Sequence, residues 1–379
     1  MHETAEKAKV IIRSFYGQGP QHSYFEGLSN GGRQALMEAQ RYPGDYDGIL
    51  AGDAPISVSH LEAAALYNVY AEPPAYIPSS KIPAISAAVL AACDALDGVT
   101  DGLITDPRHC RFDPSVLRCA GAESDNCLTV SQVKQLKKMY AGLKNSKGQQ
   151  LYPGYLPGGE EGDYGWELWV TGKAPGDGGM PIFGLGYFRG IVFENPAWDF
   201  RTITPQRAVE IADTKAARLN ATDPDLRRFK ANGGKLIIYH GWSDAAIPGT
   251  EVINYYDAVV AKLGLKETET FMRLYMVPGM HHGFLGPGPN FFGQVNLENL
   301  GGRVGVAIPM DPQHNISATL VQWTVKGIAP DTIIATKYVN DLDPSQGVKM
   351  TRPLCPYPQI AKYKGAGDTN DAANFVCKK

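Results

Sequence analysis

Apolar positions recur every three or four residues between Glu3 and Tyr16 and stop at Gly17, a period that predicts a helix over residues 3–16. The pattern then shortens. Ser23–Glu26 reads as a strand running into Gly27-Leu28-Ser29-Asn30-Gly31. Arg33–Tyr42 returns to helical periodicity and halts before Pro43, and Tyr46–Gly52 is a second apolar strand. Strand, turn, helix, strand is the grammar of a parallel α/β sheet. From about residue 76 to residue 228 the periodicity breaks up and Pro, Gly, Cys and aromatic residues accumulate, which predicts a large insertion over the sheet. The sheet pattern resumes with a buried strand at Gly234–Gly241, a helix over about 250–262 and a strand at Thr270–Val277. The expected organisation is a sheet-bearing domain made of residues 1–75 and 229–379, with residues 76–228 as a lid.

The turn at residues 27–31 is a G-x-S-x-G pentapeptide between a strand and a helix. That context suits a nucleophile elbow, where glycines allow a strained turn that lifts a serine hydroxyl to a helix N-terminus. Ser29 is the candidate nucleophile, and the Asn30 amide can face a developing oxyanion. A serine hydroxyl needs a base, and the base needs an orienting acid. The strand Leu236–Tyr239 runs into His240-Gly-Trp-Ser-Asp244, and the strand Phe271–Val277 runs into Pro278-Gly-Met-His281-His282. Asp244 therefore stands where the acid belongs and a histidine where the base belongs, in the order serine, acid, histidine. The plainer reading leaves Asp244 as a turn residue and both histidines on the surface.

Composition narrows the alternatives. The 379 residues are 44% hydrophobic and 20% charged, enough for a packed core. A net charge of −3 offers no basic face for nucleic acid, and no run approaches about 18 consecutive apolar residues. Six cysteines (Cys93, Cys110, Cys119, Cys127, Cys355 and Cys377) lie in local pairs, which suggests bridges 93–110, 119–127 and 355–377 in an oxidising compartment. About fifteen pairings are formally open. Sequons at Asn220 and Asn315 are compatible with secretion. Met1–Ile12 has no basic start, apolar core or small-residue cleavage site, so no signal peptide is expected there. A second cluster, Asp94, Asp97 and Asp101 with interleaved glycines, suits Ca²⁺ bound through hard oxygen ligands, together with the carbonyls of Val99 and Leu103.

These segments together resemble the tannase and feruloyl esterase family of α/β-hydrolases, which also includes hydrolases of plastic-derived aromatic monoesters. The resemblance runs through His2–Gly17, Ser29–Gln34, Cys93–Val99, Gly154–Glu160, Gly241–Asp244 and Val277–Met280. It implies an α/β-hydrolase fold, a Ser29–Asp244–His282 triad, the five-position calcium loop, all three local disulfides, and a lid that contacts substrate. Two departures are expected to matter. The family usually carries a cysteine before the nucleophile and another after the base, where this chain has Leu28 and Gly283. Family members also carry a further stretch before the position of residue 1, with the first strands and a second oxyanion amide.

The expected activity is serine-type hydrolysis of a small aromatic ester, feruloyl first, with gallate esters or aromatic-diacid monoesters as alternatives. No nucleic acid or membrane partner is expected, and the location is secreted or periplasmic. Trp166, Trp169, Tyr187, Phe188, Arg189 and Trp198 are the lid residues suited to an aromatic acyl group or a carboxylate. The rival from another class is a non-catalytic, calcium-stabilised binding protein on the same fold.

Overall fold

The computed structural model describes residues 1–294 and 309–379. Its strands in chain order are β1 (Tyr24–Leu28), β2 (Gly48–Gly52), β3 (Leu143–Lys144), β4 (Gln150–Tyr152), β5 (Lys235–Gly241), β6 (Met272–Val277), β7 (Ile333–Tyr338), β8 (Val348–Leu354), β9 (Ile360–Tyr363) and β10 (Phe375–Lys378). The central sheet has the order β1-β2-β5-β6 and is parallel throughout. Its register pairs Leu28 with Gly52, Gly52 with Tyr239 and Gly241 with Val277. The carboxyl ends of all four strands therefore reach one edge together, where parallel α/β sheets place their ligands.

Both faces of the sheet are covered. One face (Ile49, Ala51, Leu236, Ile238) packs on Ala35, Leu36 and Ala39 of the helix Asn30–Arg41 and on Val252, Tyr256 and Val259 of the helix Thr250–Leu263. The other face (Leu50, Ile237, Tyr239, Tyr275) packs on Ile316, Leu320 and Trp323 of the helix Ile316–Lys326. Burial on both faces explains why β2 and most of β5 read as unbroken apolar runs rather than alternating ones.

The lid has its own cores. One joins the helices Val58–Ala64, Gly179–Tyr187 and Pro205–Lys215. A second joins the helices Ile82–Cys93 and Val130–Ala141 with Trp166 and Val170. Lid packing thus begins at Val58, ahead of residue 76, because the helix from Val58 carries an apolar face toward residues 180–209 rather than toward the sheet. The helical stretch Ser79–Asp97 has the length and mean hydropathy (1.3) of a membrane span. Only Ile82–Cys93 within it is α-helix, about 18 Å at 1.5 Å per residue, and it packs into the second lid core.

Three disulfides join Cys93 to Cys110, Cys119 to Cys127 and Cys355 to Cys377. The first closes the acidic loop, and the last ties the end of β8 to β10. The first helix spans His2–Tyr16 and ends on Gly17 in the left-handed region (φ 77°). It buries Ala5 and leaves Val10, Ile11, Phe15 and Tyr16 exposed.

Candidate active site

Ser29 sits between β1 and the helix Asn30–Arg41 at φ 58°, ψ −122°, a conformation that costs a non-glycine residue of order 1–3 kcal/mol. Its N–H donates to the Gly52 carbonyl at 2.8 Å and its carbonyl accepts from Arg33 N at 3.0 Å, so strand and helix both hold the turn. The glycines do unequal work. A Cβ on Gly27 would lie 2.4 Å from the Gly31 carbonyl, and one on Gly32 would lie 2.4 Å from the Gly52 oxygen. A Cβ on Gly31 would meet nothing within 4 Å. Close packing of helix on strand thus rests on Gly27 and Gly32, the latter outside the pentapeptide. Asn30 opens the helix, where position leaves its N–H without an intrahelical acceptor.

Asp244 and His282 follow β5 and β6 at the same edge. Asp244 is buried, and its Oδ1 accepts from the N–H groups of Ala246 (2.8 Å) and Ile247 (2.9 Å). Its Oδ2 lies 2.8 Å from His282 Nδ1. Burial alone would raise the Asp244 carboxyl, but the charge of His282 and the bonds from His240 and His282 hold it far below the usual range. Burial pulls His282 down; the Asp244 charge and hydrogen bond outweigh it, and the net shift is upward. The neighbouring His281 points elsewhere, with Nδ1 2.7 Å from the Asp163 carbonyl, and burial lowers its pKa. The two adjacent histidines are thereby separated: His282 faces the acid and His281 does not.

Beneath Asp244 lie two buried groups that sequence reasoning missed. His240 Nε2 is 2.9 Å from the Ile247 carbonyl, 3.3 Å from Asp244 Oδ2 and 3.8 Å from Asp53 Oδ1. Asp53 follows β2 at φ 40°, and its Oδ1 accepts from Gly241 N at 2.8 Å. Burial lowers His240, but the two carboxylates raise it to about 9; burial raises Asp53 to about 7 despite the neighbouring imidazole. The two carboxylates thus favour the charged imidazole against its burial, and its Nδ1 has no hydrogen-bond partner among the described residues. Asp53 follows its strand just as Ser29 and Asp244 do, which is the signal that could have found it.

Leu28, just before the nucleophile, packs on Gly283, just after the base. A Cβ on Gly283 would lie 2.4 Å from Leu28 Cδ2, so the leucine lies directly against that glycine.

Ser29 and His282 line one cavity of about 550 Å³, a size suited to a small-molecule ligand. Trp169 lines it too, and its ring packs edge-to-face on the His282 imidazole at 5.2 Å. Tyr187 also lines it. The other lid candidates lie elsewhere. Trp166 packs between Tyr140 and Tyr155, Phe188 stacks on Trp198, and Arg189 Nε donates to the Trp198 carbonyl at 2.9 Å. Trp166, Phe188 and Trp198 are thus lid-core residues, Arg189 is engaged by the Trp198 carbonyl, and the helix Gly179–Tyr187 turns another face to the cavity. That face supplies Met180 and Phe183, and the opposing wall supplies Glu62, none of which the sequence singled out.

In the acidic loop each carboxylate is engaged locally. Asp94 accepts from the N–H of Gly102 (3.1 Å), Asp97 from that of Val99 (3.0 Å) and Asp101 from that of Leu103 (3.1 Å). Asp101 also pairs with Arg352. The three carboxylates do not converge within 4.8 Å; among the described residues only Asp53, His240 and Asp244 form such a group. Val99 and Leu103 are buried, and neither carbonyl accepts a hydrogen bond from a described residue. Two orphan carbonyls beside three carboxylates are a donor set that fits a hard cation.

A parallel sheet with a strained serine turn after one strand, and an acid–histidine pair after two others, is the fold of an α/β-hydrolase. The chain belongs to the tannase and feruloyl esterase family, whose pattern matches residues 1–378. It is 42% identical over 402 residues to an uncharacterized esterase of Xanthomonas campestris pv. campestris, covering 99% of this chain and 68% of that one. It is 30% identical to the mono(2-hydroxyethyl) terephthalate hydrolase of Piscinibacter sakaiensis, covering 99% and 66%. The crystal structure of feruloyl esterase B from Aspergillus oryzae superposes with a TM-score of 0.87 at 29% identity, covering 100% of this chain and 73% of that one. The tannin acyl hydrolase from Aspergillus niger, at TM-score 0.71 and 22% identity over 97% of this chain and 66% of that one, shares the fold. The protein is a carboxylic ester hydrolase.

Proposed function

We propose that the protein hydrolyses esters of aromatic acids, feruloyl-type esters first, by acyl transfer through Ser29, His282 and Asp244. The observation that carries this reading is the 2.8 Å bond from His282 Nδ1 to Asp244 Oδ2 at a cavity shared with a strained Ser29. His282 Nε2 takes the proton of Ser29 Oγ as the oxygen attacks the ester carbonyl carbon. Asp244 fixes the tautomer with the proton on Nδ1 and stabilises the imidazolium. The Asn30 N–H donates to the oxyanion. Collapse expels the alcohol, which takes its proton from His282. Water then attacks the acyl-serine with His282 again as base, releasing the acid and restoring Ser29. An apolar and aromatic cavity wall, with Trp169 against the base, favours a flat acyl group.

Calcium belongs to this proposal as a structural ion. Asp94, Asp97 and Asp101 with the carbonyls of Val99 and Leu103 would hold it, and it would neutralise a loop stapled by Cys93–Cys110. No catalytic step runs through it. Three disulfides support an extracellular or periplasmic location. The test is labelling by a fluorophosphonate followed by peptide mass spectrometry. The adduct is expected on Ser29 and to be lost in Asp244→Ala; a folded protein that stays unlabelled overturns the triad.

A further inference from the structure

Asp53 and His240 are fully buried and lie outside the wall of the Ser29 cavity, so neither can touch substrate. Their contacts run to the triad acid instead. His240 Nε2 is held 2.9 Å from the Ile247 carbonyl, a group that only accepts, so this nitrogen carries a proton in either charge state of the ring. The same N–H lies 3.3 Å from Asp244 Oδ2, the oxygen that takes the His282 bond. Ile247 closes a ring, because its own N–H donates to Asp244 Oδ1 at 2.9 Å. Asp244 is thus gripped on both oxygens.

Asp53 holds the imidazole in place from the neighbouring strand. Its backbone N–H donates to the Tyr239 carbonyl at 3.0 Å and its Oδ1 accepts from Gly241 N at 2.8 Å, so it clasps β5 on either side of His240. It does so at φ 40°, a left-handed conformation that a non-glycine residue keeps only where its surroundings impose it. Glu251, the other buried acid that feels His240, is committed to Tyr152 Oη and Ser57 N at 2.6 Å each. We infer that His240 is a positioning residue for the reaction. Its Nε2–H fixes the Asp244 carboxylate in the rotamer and the ionised state that keep the His282 proton on Nδ1, and Asp53 is the clasp that sets His240. The inference rests on the proposed acyl-transfer triad and adds to it two residues that never meet the substrate.

The rate at which a fluorophosphonate labels Ser29 at saturating probe reports base-assisted attack and does not depend on which ester is the substrate. His240→Leu should lower that limiting rate by about 10–100-fold, the size of one hydrogen bond to a charged group, with the half-saturating probe concentration unchanged within about two-fold. His240→Gln, whose amide N–H can serve the same two acceptors, should recover the rate to within about three-fold of wild type. Asp53→Ala should lower it as His240→Leu does, and the double variant should fall no further, because both act through one bond. Nitrogen-15 histidine spectra of the wild type give a second readout that needs no folded variant: His240 should carry its proton on Nε2 across the pH range of labelling. A labelled wild type with His240→Leu reacting at the same rate overturns the inference and leaves the triad standing. So does a His240 ring protonated on Nδ1 alone, or an equal loss in His240→Gln and His240→Leu, which is what lost packing would give. A folded wild type that stays unlabelled removes the triad and this inference together.

Discussion

Removing the charge of His240 should cost more stability than any other single polar change at this site. The imidazole is fully buried at 3.3 Å from Asp244 and 3.8 Å from Asp53. At an effective dielectric of about 20 each contact is worth roughly 4–5 kcal/mol of gross attraction. In His240→Gln the two carboxylates face each other without the cation, and Asp53, already raised to about 7, takes up a proton instead of remaining charged. Protonation relieves part of the repulsion, so the expected net loss is that of a broken buried pair, about 3–5 kcal/mol. For 379 residues at about 2.1 cal/mol/K each, that corresponds to a fall in Tm of about 4–6 °C. The assay is differential scanning calorimetry on the wild type, His240→Gln, Asp53→Asn and the double variant. The double variant should lose clearly less than the sum of the singles, because Asp53→Asn removes the charge that His240 was balancing. A His240→Gln protein within 1 °C of wild type, or strictly additive losses, would refute the picture of a cation clamped between acids.

Gly32→Ala, with its Cβ 2.4 Å from the Gly52 oxygen, should lower Tm sharply or abolish soluble expression, whereas Gly31→Ala, with open space around it, should leave Tm within a degree or two. Because the net shift of His282 is upward, kcat/KM should fall as pH drops through a pKa above the ordinary 6.5, where the base becomes protonated. Asp244→Asn should cut turnover by about 10³–10⁴-fold and move that limb to lower pH, since the group raising the imidazole is gone; a limb that stays in place contradicts the assignment. EDTA should lower Tm, and added Ca²⁺ should restore it, while Asp97→Ala should be insensitive to both; equal Tm values with and without EDTA exclude the structural ion.

Local signals were legible in proportion to how much one short segment has to satisfy by itself. The turn around Ser29 needs small residues, a preceding apolar run and a following helix, all within about twenty positions, so the pattern announces it. Asp244 and His282 are legible because each closes an apolar strand. The two features that complete the site were not. Glu62 sits in a helix whose sequence, Val58–Ala64, reads as any amphipathic segment, and only its packing against Gly179–Tyr187 sets the residue on the cavity wall. Asp53 closes its strand as Ser29 and Asp244 do, but it bonds Gly241 N, beside His240, across 188 positions of chain, and nothing local marks that meeting. The lid aromatics show the opposite failure. Trp166, Phe188 and Trp198 are of the right residue type, but a lid that builds two cores of its own needs large rings to fill them.

The most direct measurement is hydrolysis of methyl ferulate by this chain beside Ser29→Ala. Turnover should disappear in the variant while its fold, read by circular dichroism, is unchanged. Turnover that survives Ser29→Ala, or a folded wild-type chain that leaves the ester intact, contradicts the proposed mechanism.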